Sequence, residues 1–129
     1  MRMKHLNEYL NESTKVGKIS KNITLDFVIS KTAHAQERQD RHTEEGGDKI
    51  SDDEILETVH KASERIIEDT LANHIDVGDR FIVREPNTDL NLVCSMARGD
   101  KRDSFTITII TCMRVKGFRN PKDSWVIVI

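Results

Sequence analysis

The chain has 129 residues, 33% of them charged and 5% aromatic, with a formal net charge of −2. That length suffices for one ordinary core and needs no second domain, and the density of Ile, Val and Leu in the second half argues against disorder throughout. Apolar runs are too short for a membrane-spanning helix and nothing resembles a secretory signal, so a soluble protein is expected.

Within residues 1–12, Met3, Leu6, Tyr9 and Leu10 recur at near-helical spacing, in a segment too short to be a stable helix alone. Residues 13–22, STKVGKISKN, are polar, basic and glycine-containing, and read as a linker. A first strand is expected over 23–29, where β-branched and aromatic residues concentrate. Ser30 or Thr32 can then cap a helix that Gly46 and Gly47 stop. Ser51 and Glu54 form a capping box for a second helix over 51–72, whose Ile55, Val59, Ala62, Ile66 and Ile67 keep helical spacing. Its other face, with Glu57, Lys61, Glu64 and Glu68, reads as a solvated surface.

After Asp76 the hydrophobic period becomes two. Strands are expected at 81–84, 90–97, 104–115 and 125–129, joined by turns at 85–89, 99–103 and 118–123. The expected fold is α+β over 23–129: one strand and two helices, then an antiparallel β-meander with the helices on one sheet face.

Chemistry concentrates in KTAHAQERQDRHT, residues 31–43. His34, Arg38, Arg41 and His42 stand at helical offsets of 0, 4, 7 and 8, so a helix shows all four within about 100°. Two guanidiniums beside an imidazole repel a metal cation and suit a phosphate, which arginine holds bidentately. No metal and no cofactor is expected. The competing reading pairs Arg38 and Arg41 with Glu37, Asp40, Glu44 and Glu45 on a solvated helix. His5, His60 and His74 have no constellation around them in the sequence. Cys94 and Cys112 lack the spacing of a metal site and read as reduced, half-buried thiols.

The charge is segregated along the chain. Residues 2–21 carry five basic and two acidic side chains, residues 22–97 eight and seventeen, and residues 98–122 seven and two. The basic C-terminal block can meet a nucleic-acid backbone, while the acidic middle argues against tight non-specific binding.

With these motifs in place, residues 23–115 resemble the small RNase superfamily of barnase, EndoU, the colicin nuclease domains and the RelE toxins, and most closely its phage-encoded branches. The resemblance rests on His34-Ala-Gln-Glu-Arg38-Gln-Asp-Arg41, on Ile50-Ser-Asp-Asp-Glu54-Ile55 opening a helix, and on the strands Leu90-Asn-Leu-Val93 and Ile109-Ile-Thr111. Residues 44–49 intervene where the family runs almost directly into its second helix. The resemblance implies a RelE/barnase-like fold and metal-independent RNA cleavage giving 2′,3′-cyclic phosphate. It implies His34 as acid or base, Arg38 and Arg41 on the phosphate, and Thr111 as a polar partner. Strand alternation, however, places Thr111 with Phe105, Ile107, Ile109 and Met113; either the strand leaves the core before it or Thr111 is merely a strand former. Arg114, on the opposite face, is a reserve phosphate contact, and His42 assists or frays.

The first residues are similar to the capsid-targeting peptides of internal head proteins in T-even-type phages. Such peptides are cut by the prohead protease after Leu or Ile, any residue, and Glu; Leu10-Asn11-Glu12 followed by Ser13 fits. The resemblance implies a virion-interior protein delivered into the host cytoplasm, with the prohead protease and capsid core as partners and RNA as substrate. Two other readings stay open: an inactive injected protein that inhibits a host defence enzyme, its acidic second helix the contact surface, or a structural head protein.

Overall fold

The computed structural model describes residues 13–21, 25–44, 49–99, 104–116 and 124–129. In chain order the elements are β1 (Ser13–Lys21), β2 (Leu25–Thr32), α1 (Ala33–Glu44), α2 (Asp52–Leu71), β3 (Arg80–Glu85), β4 (Leu90–Arg98), β5 (Ser104–Arg114) and β6 (Trp125–Val128). The expected α+β class, two helices over a sheet, is what forms. No helix among the described residues is long and apolar enough to cross a membrane.

The sheet is mixed, not an antiparallel meander. Its six strands run β1-β2-β5-β4-β3-β6. The central β3-β4-β5 does meander antiparallel, but β2 joins β5 in parallel and β6 joins β3 in parallel. β6 therefore lies at the far edge, with β4 and β3 between it and the β5 neighbour that a simple meander would give it.

Of the stretch expected to be a linker, 13–22, residues Ser13–Lys21 form the edge strand β1, antiparallel to β2 with a bulge between Lys15 and Gly17. These residues therefore belong to the sheet. Gly17 is there for proximity: a Cβ at that position would stand 2.7 Å from Leu56 Cδ2 of α2. A glycine that reads locally as linker composition lets the helix lie against the strand.

α2 is built as its local sequence dictates. Ser51 Oγ accepts the Glu54 N–H at 3.1 Å, and Ile55, Val59, Ala62 and Ile66 are completely buried at i, i+4, i+7 and i+11. The helix touches β1, β3 and β6. Its 20 residues are about 30 Å long, enough to bridge the roughly 24 Å across six strands. Below it lie Phe27, Ile29, Phe81, Val83, Leu92, Met96, Ile107 and Ile127 on one sheet face. Phe27 stacks on Phe105, their centroids 5.7 Å apart.

Candidate functional site

α1 is seated by one hydroxyl. Thr32 Oγ1 accepts the Ala35 N–H at 3.1 Å, capping the helix, and donates to the Ile110 carbonyl of β5 at 2.8 Å. Ala35 and Gln39 are buried, and the Cys112 thiol lies 3.8 Å from the Ala35 carbonyl. With that flank turned inward, His34 and Arg41 are exposed and Arg38 is half-buried, one to two turns apart on the outer side. No described residue pairs with the side chains of His34 or Arg38. Arg41 is bound by Glu37 at 2.6 Å, as the solvated-helix alternative anticipated. His42 belongs to the helix, but its side chain lies outside the described residues.

Thr111 does not join this group. In β5, Cys94 faces Ile109 and Val93 faces Thr111, so Ile110 is an extra residue, a β-bulge. The bulge flips the parity beyond it. Cys112 and Arg114 turn to the helix side, where strict alternation would have put Thr111 and Met113, and Thr111 turns to the opposite side of the sheet from α1. Its Oγ1 is buried without a hydrogen-bond partner among the described residues.

Arg114 is likewise committed elsewhere. Its Nη1 and Nη2 grip Glu54 at 3.0 and 2.7 Å and reach the carbonyls of Thr88 and Lys49, each at 3.0 Å. The reserve phosphate contact is thus a clamp joining β5, the turn before β4 and the start of α2. Glu54, occupied by Arg114, leaves the second half of the expected capping box unmade.

Two constellations escaped sequence reasoning. Lys31 is buried, and its Nζ bonds Asp52 Oδ1 at 2.6 Å, Gln39 Oε1 at 3.1 Å and Gln36 Oε1. Burial raises the Asp52 pKa, but the hydrogen bonds from Lys31 and Gln39 and the charges of Lys31 and Lys49 outweigh it and hold the carboxyl below its ordinary 3.8. These groups line a polar cleft of about 350 Å3 with Asp40 and Lys49; His34, Arg38 and Arg41 do not line it. The signal was present: Lys31 continues the period-two stripe of Phe27 and Ile29.

The second centres on Asp69, whose side chain is 7% exposed. It accepts from Trp125 Nε1 at 2.8 Å and Arg65 Nε at 3.2 Å, and lies 3.4 Å from His74 Nδ1. His74 therefore does have a constellation. Burial raises the Asp69 pKa, yet Trp125, His74 and Arg65 together bring it below 3.8. A depressed folded-state pKa contributes stability that is present above 3.8 and lost as pH falls through the folded value. Asp69→Asn is expected to flatten the acid limb of stability against pH, read as urea midpoints; an unchanged acid limb would contradict the assignment.

Burial also pushes the Cys112 thiol up to about 11 and the Cys94 thiol higher still. Both cysteines are free and fully buried rather than half-buried, and stay protonated. Among the described residues no three His, Cys, Asp or Glu side chains form a metal site.

The two layers differ in charge. The outer face of α2 exposes Asp53, Glu57, Glu64 and Glu68. On the other side, register aligns Lys15, Ser30, Thr108, Ser95 and Arg80 in one row across β1, β2, β5, β4 and β3. Three hydroxyls thus lie between two cations, over about 19 Å.

No protein-family model, curated protein or solved structure matches the chain.

Proposed function

We propose that the chain is a phage internal head protein whose folded domain is a metal-independent endoribonuclease, with His34 and Arg38 at the scissile phosphate. The observation that carries this reading is an exposed imidazole and a half-buried guanidinium one turn apart on a firmly seated helix, neither matched by a counter-charge among the described residues. In the reaction the ribose 2′-OH attacks the neighbouring phosphorus and the bond to the 5′ oxygen breaks, leaving a 2′,3′-cyclic phosphate and a 5′-OH. His34 moves a proton at one of these oxygens, and Arg38 holds the non-bridging oxygens as their charge grows. Arg41 joins by leaving Glu37, since an exposed pair of this kind is worth at most about 1 kcal/mol. In the row ended by Lys15 and Arg80, Ser30 is buried, while the half-buried Thr108 and Ser95 and the two cations offer contacts to phosphate and sugar that do not read sequence. β2 links the two surfaces, Ser30 lying four residues before His34.

Wild-type protein should cleave total RNA equally with and without EDTA and leave cyclic-phosphate ends. His34→Ala should lose about 10²- to 10⁴-fold in rate while remaining folded by circular dichroism. Arg38→Lys should also be impaired, because an ammonium cannot reproduce the guanidinium fork. Equal cleavage by wild type and His34→Ala would sink the assignment.

Ser13, the residue after the expected cut at Glu12, opens β1. Removing residues 1–12 thus leaves all six described strands in the chain. Intact mass of the protein from purified particles should give a chain beginning at Ser13; full-length chain there would remove the head-protein part of the proposal. The acidic outer face of α2 favours one second reading, an injected inhibitor that docks this face on a basic patch of a host enzyme. That reading gains if no RNA is cleaved.

A further inference from the structure

We infer that His74 and Trp125, oriented by Asp69 and flanked by Arg65, form a stacking subsite for one unpaired nucleobase of RNA. The inference rests on the RNA-binding reading above and adds a second contact, at the opposite end of α2 from its cap.

The first ground is a residue out of place. Ile55, Val59, Ala62 and Ile66 define the buried stripe of α2, and the next position on it is Asp69. An apolar side chain there would extend the core without desolvating a charge. The carboxylate instead collects three donors from three segments: Arg65 one turn back on α2, His74 in the following turn and Trp125 on β6. Its effect is to fix the planes of two aromatic rings.

Those rings form a pair. The His74 and Trp125 centroids are 4.4 Å apart with planes inclined at 32°. Trp125 is largely covered, whereas the His74 side chain is 47% exposed, so the imidazole is the outer layer of the stack. The backbone is held to the same end. Asn73 takes a left-handed φ of 62°, which asparagine tolerates better than most residues, and the N–H groups of His74 and Ile75 both donate to the Asp69 carbonyl.

Charge selects the ligand. Asp69 offsets Arg65, and the exposed Glu68 and Asp76 stand close by in the chain, a setting that gives a phosphate little and a flat, polarisable base much. Bases stack on aromatic side chains and on guanidinium planes regardless of sequence. α2 starts beside α1, where Asp52 meets Lys31 and Gln39, and Asp69 lies 17 residues further along it, about 25 Å away and within reach of a few nucleotides. One RNA strand can touch both sites.

Trp125 is the sole tryptophan of the chain, so its fluorescence reports this site alone. The test titrates wild-type protein with a 2′-O-methyl oligoadenylate, which lacks the attacking hydroxyl and cannot be cleaved, and separately with inorganic polyphosphate. Binding is followed independently by anisotropy of a labelled oligonucleotide. The expected result is saturable quenching that tracks the anisotropy with oligoadenylate and is absent with polyphosphate. His74→Ala should weaken oligonucleotide binding about tenfold, and His74→Phe, which keeps a stacking ring, should retain most of it. Binding without quenching, or an affinity unchanged in His74→Ala, overturns the subsite, leaves the aromatic pair to a protein partner and spares the RNA reading. An anisotropy that never changes removes the RNA reading and the subsite together.

Discussion

Ile66→Asp is expected to leave the chain without a cooperative fold. Ile66 has no exposed surface and is the last apolar residue of the buried α2 stripe, above the sheet that carries Phe81 and Ile127. A carboxyl group placed there has no described cation or donor to meet it, and burying a polar group unpaired costs several kcal/mol beyond the lost apolar contacts. Domains of this size hold only about 5–15 kcal/mol in total, so one such change consumes most or all of the margin. Ile66→Ala, which only opens a cavity, should cost about 2–4 kcal/mol and keep a two-state transition. Circular dichroism and urea melts of the pair decide it. A native-like melt of the aspartate variant would mean that α2 does not pack as described.

Arg114→Met is expected to destabilise the domain by about 2–3 kcal/mol. The side chains of Arg114 and Glu54 are 14% and 26% exposed, so their pair is partly desolvated and worth more than a surface ion pair. Removing the guanidinium also leaves the carbonyls of Thr88 and Lys49 without these donors. Most of the loss comes from stranding the partly buried Glu54 carboxylate without its cation. The double variant Arg114→Met with Glu54→Leu should therefore recover at least half of it, because an apolar pair of similar bulk leaves no charge behind. Urea midpoints of the four proteins in the cycle give the coupling. An Arg114→Met variant as stable as wild type would return the arginine to a phosphate-contact role.

Much of this was legible in the residues themselves. α2 needed only its cap and its stripe, both read within a few positions, and His34, Arg38 and Arg41 share a face because helical spacing is a local property. The turn between β3 and β4 was legible for the same reason, while the turns expected at 99–103 and 118–123 lie almost wholly outside the described residues. What failed depended on partners far along the chain. The bulge at Ile110 is met by Thr32, 78 residues away, and it alone sends Thr111 away from α1 and Arg114 toward Glu54. β1 became a strand because β2 offered an edge and Gly17 let Leu56 approach; β6 chose β3 over β5 although β5 precedes it in sequence. Lys31 and Asp69 looked like ordinary charges and proved to be buried centres of hydrogen bonding, Trp125 reaching Asp69 across 56 residues. The sequence by itself determined the two helices and the strands β2 to β6, though not β1, because caps and hydrophobic periods act over one or two turns. Only the tertiary structure decided which side of the sheet each polar group serves, because a single inserted residue reverses strand parity and its cost is set by hydrogen bonds closed from distant segments.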